Sequence, residues 1–279
     1  MIRFFCRREE TVMKAEYKNW VPEGMIKGAA AGAASLAFCA ASAALTASTR
    51  TFKKEKAVFQ AAAGLCAAGA AACGALMGWG TWAHDQFSYD GSRMLSRDIV
   101  EGVADYVLIP DGGVGLDVGC GSGALTIAAA KRNPNARMVG CDRWGIEYAS
   151  FSRELCERNA RAEGVENVSF LKGDAVELPF EDESFDTVTS NYVYHNISGK
   201  NKQELLLETL RVLKKGGTFA IHDIMSPARF GDLGDFLDRL RIMGYEQAVL
   251  IPTDNGKFMS KGEARSLFLS GSTLLYGKK

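Results

Sequence analysis

A doubly wound α/β sheet of seven largely parallel strands, preceded by an α-helical hairpin, is the fold class that two observations predict. From about residue 93 onward, short apolar runs alternate with amphipathic stretches, the pattern of a chain weaving strands through helices. Ahead of that lie two long stretches, 28–49 and 57–83, that carry no charged side chain. The chain of 279 residues is long enough to bury a full core.

Taken in order, residues 1–27 are a basic polar segment. Residues 28–84 are two apolar helices, each long enough to cross the hydrocarbon core of a bilayer, which takes about 20 residues. Trp79 and Trp82 close the second stretch, where indoles favour a membrane interface. The spacings Gly28/Gly32 and Gly74/Gly78 predict a close helix–helix approach. A soluble alanine-rich hairpin and a secretory leader are the other readings of this region. The second apolar stretch and the polar lead oppose the leader. Residues 85–112 read as a linker or lid, partly helical, and residues 113–279 as the α/β domain. Strands are expected at 114–119, 137–142, 167–171, 185–190, 218–222, 247–251 and 272–276. Helices are expected at 125–132, 146–163, 202–213 and 236–243, with a turn at 214–217.

The formal charge is zero, but residues 1–84 hold ten Lys/Arg against five Asp/Glu, and the remainder is acidic to the same extent. An acidic main domain gives no electrostatic reason to expect a nucleic-acid partner. A basic N-terminal portion suits an anionic membrane surface. Arg50, Lys53, Lys54 and Lys56 lie between the two apolar stretches, while Arg3, Arg7, Arg8, Lys14, Lys18 and Lys27 precede them. Both clusters therefore favour the cytoplasmic side. A two-span hairpin puts the tail and the main domain in the cytoplasm; a shallow re-entrant hairpin satisfies both clusters. Seven scattered cysteines with no CxxC indicate neither a disulfide framework nor a zinc site.

The first strand runs into Gly115-Leu116-Asp117-Val118-Gly119-Cys120-Gly121-Ser122-Gly123. Glycines let backbone N–H groups approach a ligand at the start of a helix. Asp117 places a carboxylate beside the turn, which suits a cationic ligand better than a diphosphate. The pattern Gly119-x-Gly121-x-x-Ala124 with Asp142 also fits a dinucleotide fold, but no Tyr-x-x-x-Lys accompanies it.

The segment Asp117 to Gly123 resembles the first motif of class I S-adenosylmethionine-dependent methyltransferases. The resemblance continues through Asp142, Gly173-Asp174-Ala175, Phe185-Asp186-Thr187-Val188-Thr189-Ser190-Asn191 and Leu213-Lys214-Lys215-Gly216-Gly217. It implies S-adenosylmethionine as the methyl donor. Asp142 would hold the ribose hydroxyls, Asp174 the adenine and Asn191 the methionine part, with Arg143 and Ala175 also among the cofactor-binding residues. Gly119, Gly121 and Gly123 would form the turn, with Asp117 behind it. The family places substrate beyond the fourth and fifth strands, at Tyr192, Tyr194, His195, His222 and Asp223. His195 is the first candidate for a base or acceptor-orienting group, with His222 and Asp223 as a second polar contact. Tyr192 and Tyr194 are expected to wall the pocket, and Tyr89 to reach it from a lid. No Asn/Asp-Pro-Pro-Tyr or Pro-Cys pair follows the fourth strand, and Asn191 stands where a metal-assisted enzyme expects Asp. What remains is similar to the branch of small-molecule and quinone C-methyltransferases. A small or lipophilic acceptor and no metal ion are expected, the lipophilic choice being motivated by the apolar hairpin. A non-catalytic S-adenosylmethionine-binding module at a membrane is the alternative.

Overall fold

The computed structural model describes residues 14–145 and 150–279. The described residues divide into two compact units, 14–18 with Asp98–Lys279, and Asn19–Arg97. The division falls inside α3 (Leu95–Ala104), ahead of the expected start of the α/β domain at residue 113.

The smaller unit is a hairpin of α1 (Glu23–Thr49) and α2 (Lys53–Phe87). Alanine, the strongest helix former, dominates both, and Pro22 sits at the N-cap of α1, where a lost N–H costs nothing. The base is closed by Asn19, whose amide donates to the His84 carbonyl (2.7 Å), and by His84 Nδ1 on the Val21 carbonyl (2.9 Å). Small residues set the helix contact: a Cβ added at Gly32 would lie 3.2 Å from Cys73 Sγ, and one at Gly69 3.0 Å from Leu36. Of the four glycines in the GxxxG spacings expected from the sequence, Gly32 alone lies at the contact. Gly28, Gly74 and Gly78 have nothing within 4 Å of an added Cβ, so they face away from the partner helix. Both helices are long and apolar enough to cross a membrane, and Phe38 (75%) and Leu65 (76%) are exposed along them.

The larger unit carries one sheet of β1 (Val114–Val118), β2 (Arg137–Asp142), β3 (Val168–Lys172), β4 (Phe185–Asn191), β5 (Leu213–Ile224), β6 (Gln247–Pro252) and β7 (Ser272–Lys278). Their order is β3-β2-β1-β4-β5-β7-β6, with β7 antiparallel to both neighbours and the other pairs parallel. Helices α4 (Ala124–Arg132) and α5 (Arg153–Ala162) bring Ile127, Cys156 and Ala160 against Phe170. Helices α6 (Lys202–Arg211) and α8 (Leu233–Ile242) bring Leu206, Leu210, Phe236 and Leu240 into the core with Val188, Phe219 and Ile221. The strand order reverses between β1 and β4, which opens a crevice at their carboxyl ends.

Three local differences from the sequence reading have physical causes. Residues 214–217 bulge within β5: Leu213 pairs with Phe185 and Thr218 with Thr187. Helix α5 starts at Arg153 because the Ser152 side chain accepts the Leu155 N–H (3.2 Å); residues 146–149, expected to begin that helix, lie outside the described residues. Two short helices add to those expected, α7 (Pro227–Phe230) and α9 (Lys261–Ser266), each too brief to show an apolar period.

Candidate active site

In sheet order, the carboxyl ends present Asp174 after β3, Asp142 on β2, Gly119 after β1, Asn191 on β4, and His222 with Asp223 on β5. The turn between β1 and α4 is held from several sides. Gly119 and Cys120 donate their N–H groups to the Cys141 carbonyl at 2.7 and 3.2 Å. Gly119 has φ +73, and a methyl group there would overlap Val193, so only glycine lets the turn after β4 press against it. The Asp142 carboxylate accepts the Gly121 N–H (2.9 Å) through one oxygen and the Trp144 N–H (2.7 Å) through the other. Each oxygen keeps a second lone pair for a hydroxyl donor. Gly173 donates to the Asp142 carbonyl (3.0 Å), which sets Asp174 beside it. Asp174 in turn accepts the Val176 N–H (2.9 Å), with Ala175 between them. Arg143 is exposed at the same edge.

Asp117 is buried behind the turn, where the Thr126 hydroxyl donates to it (2.6 Å). Burial pushes its carboxyl up to about 7; the Thr126 hydrogen bond opposes that rise and the nearby Asp142 charge adds to it.

Beyond β4 the chain makes a short 3-10 turn, Tyr194–Asn196. His195 Nδ1 lies 2.6 Å from Asp223 Oδ1. Asp223 Oδ2 accepts the N–H groups of Tyr194 (2.7 Å) and His195 (3.2 Å), and Oδ1 also accepts the Ile224 N–H (2.7 Å). The His195 side chain is 16% exposed and Asp223 fully buried, so solvent reaches only the imidazole. Its Nε2 has no protein partner among the described residues. Tyr192 has φ +56, in the left-handed region that costs a bulky residue energy and that clusters at functional sites.

His222 departs from the expected contact with substrate. It is wholly buried, with Nδ1 donating to Asn191 Oδ1 (2.8 Å) and Nε2 accepting the Thr253 hydroxyl (2.8 Å). Burial pulls its imidazole down to about 3 against the opposing Asp223 charge, so the ring is neutral and both nitrogens are taken. Tyr194 likewise is a core residue and not a pocket wall: it is wholly buried and its hydroxyl meets Thr209 (2.6 Å). The Tyr192 hydroxyl meets Ser272 (2.6 Å), and burial raises both phenols above their ordinary value. Tyr89 falls in the hairpin unit. Sequence reasoning missed Trp144, which adopts φ +42 and whose indole donates to the Gly121 carbonyl (3.0 Å).

A glycine turn into a helix, at the reversal point of a 3-2-1-4-5-7-6 sheet, defines the class of nucleotide-cofactor α/β folds to which S-adenosylmethionine enzymes belong. Residues 109–243 match the family model described as methyltransferase domain. Among curated relatives, a demethylmenaquinone methyltransferase from Thermus thermophilus is 35% identical over 114 residues, covering 41% of this chain and 48% of that protein. Another from Geobacillus stearothermophilus is 32% identical over 117 residues, covering 42% of this chain and 47% of that protein. The chain thus spans about half the length of these relatives. The solved structure of the [4+2]-cyclase SpnF shares the fold, with a TM-score of 0.52 at 19% identity over 67% of this chain and 82% of its own. The cofactor that the domain implies is S-adenosylmethionine. The turn and the Asp142 and Asp174 carboxylates fit it: an added Cβ at Gly121 finds nothing nearer than Phe151 at 3.7 Å, so the turn is open there.

Proposed function

We propose that this chain transfers a methyl group from S-adenosylmethionine to a small, lipophilic acceptor, and that the hairpin holds it at a cytoplasmic membrane surface. The His195–Asp223 pair carries the catalytic part of this reading. Bound at the turn, the cofactor supplies a methyl group on a cationic sulfur, which leaves as a neutral thioether. In-line displacement then needs chiefly alignment of the acceptor. Asp142 would hold the ribose, Asp174 and Ala175 the adenine, and Asn191 the methionine part, with Asp117 supporting the turn. His222 orients Asn191, whose amide nitrogen has no partner among the described residues. His195 accepts the proton of the acceptor at Nε2, and Asp223 fixes its tautomer. Tyr192 flanks His195, with ring centroids 5.9 Å apart. Demethylmenaquinone, named in the relatives above, is the first acceptor to test.

A second reading, binding of S-adenosylmethionine without methyl transfer, draws support from the shared fold of a protein named as a cyclase. Incubating membranes and purified protein with isotope-labelled methyl donor separates the two. Label in an extracted lipid or small molecule supports transfer; binding of donor with no labelled product supports the second reading.

Asp142→Ala is expected to weaken S-adenosylhomocysteine binding by about 1.5–3 kcal/mol, the contribution of hydrogen bonds to a charged group. Calorimetry giving equal affinity for wild type and variant would remove Asp142 from the ribose role.

Asp117 links the cofactor to pH. Its folded value near 7 lies well above the ordinary carboxylate value of 3.8, so the folded protein holds a proton that the unfolded chain has lost across that window. This contribution to stability is complete below the unfolded value and is lost as pH rises toward 7. The positive groups of S-adenosylmethionine favour the carboxylate, so binding at pH 6 is expected to release protons. Calorimetry in buffers of different ionisation heat should show that release in wild type and not in Asp117→Asn. Equal release in both would assign it elsewhere.

A further inference from the structure

Helix α5 turns two side chains of the same face toward the glycine turn. Cys156 and Asn159 are three residues apart, and they reach successive turn carbonyls: Cys156 Sγ donates to Gly121 (3.2 Å) and Asn159 Nδ2 to Ser122 (2.9 Å). Asn159 is 1% exposed, and the rest of its amide is spent on a segment distant in sequence. Its Oδ1 accepts the Glu16 N–H (2.7 Å) and its Nδ2 also donates to the Glu16 carbonyl (3.1 Å). One buried amide thus joins the backbone at residue 16 to the backbone of the turn. Tyr17, like Trp144, packs against the cluster of Cys120, Ile127, Cys156, Ala160 and Phe170, and its hydroxyl reaches Glu163 (3.4 Å). The Glu16 side chain pairs with Lys18.

We propose that Asn159 is a positioning residue for the cofactor turn and that residues 14–18 form a strap which completes it. This rests on the reading of the turn as the S-adenosylmethionine site. The turn has an unusual density of left-handed residues, with Gly119, Gly121 and Gly123 all at positive φ. Glycine reaches these angles without strain but reaches others as readily, so hydrogen bonds to the turn's carbonyls from outside select its shape. Asn159 can place its amide on Ser122 in one orientation, and the two-point contact with Glu16 selects that orientation. Loss of the strap frees the amide to rotate and loosens the turn. By linkage, whatever the docked strap adds to cofactor affinity, bound cofactor returns as protection of the strap.

The test uses the full chain in detergent and leaves Asn159 in place. Glu16→Pro deletes the backbone donor that Asn159 accepts, at a residue outside the helices and strands whose side chain is exposed. Glu16→Gln keeps that donor and removes only the pairing with Lys18. S-Adenosylhomocysteine should bind Glu16→Pro between roughly two- and ten-fold more weakly than wild type, the worth of one net hydrogen bond, while Glu16→Gln matches wild type. Hydrogen exchange without ligand should be faster in the peptide spanning residues 119–124 of Glu16→Pro, and in wild type added S-adenosylhomocysteine should slow exchange in residues 15–18. Unchanged affinity together with unchanged exchange in Glu16→Pro overturns the proposal. A wild type that binds no S-adenosylhomocysteine overturns the cofactor reading, and the ligand-free exchange comparison still decides whether strap and turn are coupled.

Discussion

Replacing His195 with alanine is expected to lower labelled-methyl transfer by about 10²–10⁴-fold, the usual contribution of a positioned general base. Affinity for S-adenosylhomocysteine should stay within about two-fold, because a base acts on the acceptor and not on the bound cofactor. Asp223→Asn is the sharper variant. Asp223 Oδ2 accepts two backbone N–H groups, so the asparagine oxygen is drawn to that position and its NH₂ to the position facing His195 Nδ1. An NH₂ there donates to Nδ1 and moves the imidazole proton to Nε2, the atom that must accept. The two N–H groups on Oδ2 keep their acceptor, while the Ile224 N–H loses the one it had on Oδ1 and the tautomer is inverted. Asp223→Asn should therefore lose nearly as much activity as His195→Ala, and should melt below wild type because the Ile224 N–H is left without an acceptor. If either variant transfers methyl at the wild-type rate, the acceptor needs no deprotonation by this pair, and alignment alone supplies the acceleration.

How far the sequence carries the fold and site is visible in individual residues. The bounds of β2 are readable as Arg137–Asp142, because an apolar run between a turn and an acidic residue admits few registers. The antiparallel insertion of β7 between β5 and β6 is not readable, since strand order depends on contacts between segments remote in the chain. Helix α9 has a legible start, the Ser260-x-x-Glu263 capping box, in which both reciprocal hydrogen bonds form. Its six residues are too few to show a helical apolar period. The carboxyl-end residues stand out because their motifs carry chemistry in fixed order. Asn159 and Trp144 escape notice because neither belongs to a motif, and each acts through hydrogen bonds to a backbone that only the fold brings near. His222 and Tyr194 show the converse. Position after a strand places them near the site, while burial, which a sequence does not show, decides that one orients Asn191 and the other packs the core.

The hairpin supports a prediction of similar size. Contacts fix its register: Gly32 meets Cys73 and Gly69 meets Leu36, so residues whose numbers sum to about 105 lie level with one another. Phe38 is at the middle of the uncharged stretch 28–49, and Leu65 lies level with residue 40 on the facing helix. Both side chains point outward, at 75% and 76% exposure. A helix rises 1.5 Å per residue, so the stretch 28–49 spans about 33 Å against a hydrocarbon core of about 30 Å. In a two-span hairpin, Phe38 and Leu65 therefore sit near the midplane. Lysine there costs about 2.5–3.5 kcal/mol each on the insertion scale, enough together to offset the weak insertion of an alanine-rich pair. Wild type is expected in the pellet after an alkaline carbonate wash, and Phe38→Lys with Leu65→Lys in the supernatant, with S-adenosylhomocysteine affinity unchanged. Gly74→Leu with Gly78→Leu should stay in the pellet, because neither glycine faces α1. A truncated chain that tests the α/β unit alone should keep residues 14–18, since they belong to that unit. Wild type in the washed supernatant would mean that the exposed apolar side chains meet something other than lipid, and the reading of a lipophilic acceptor would then rest on its relatives alone.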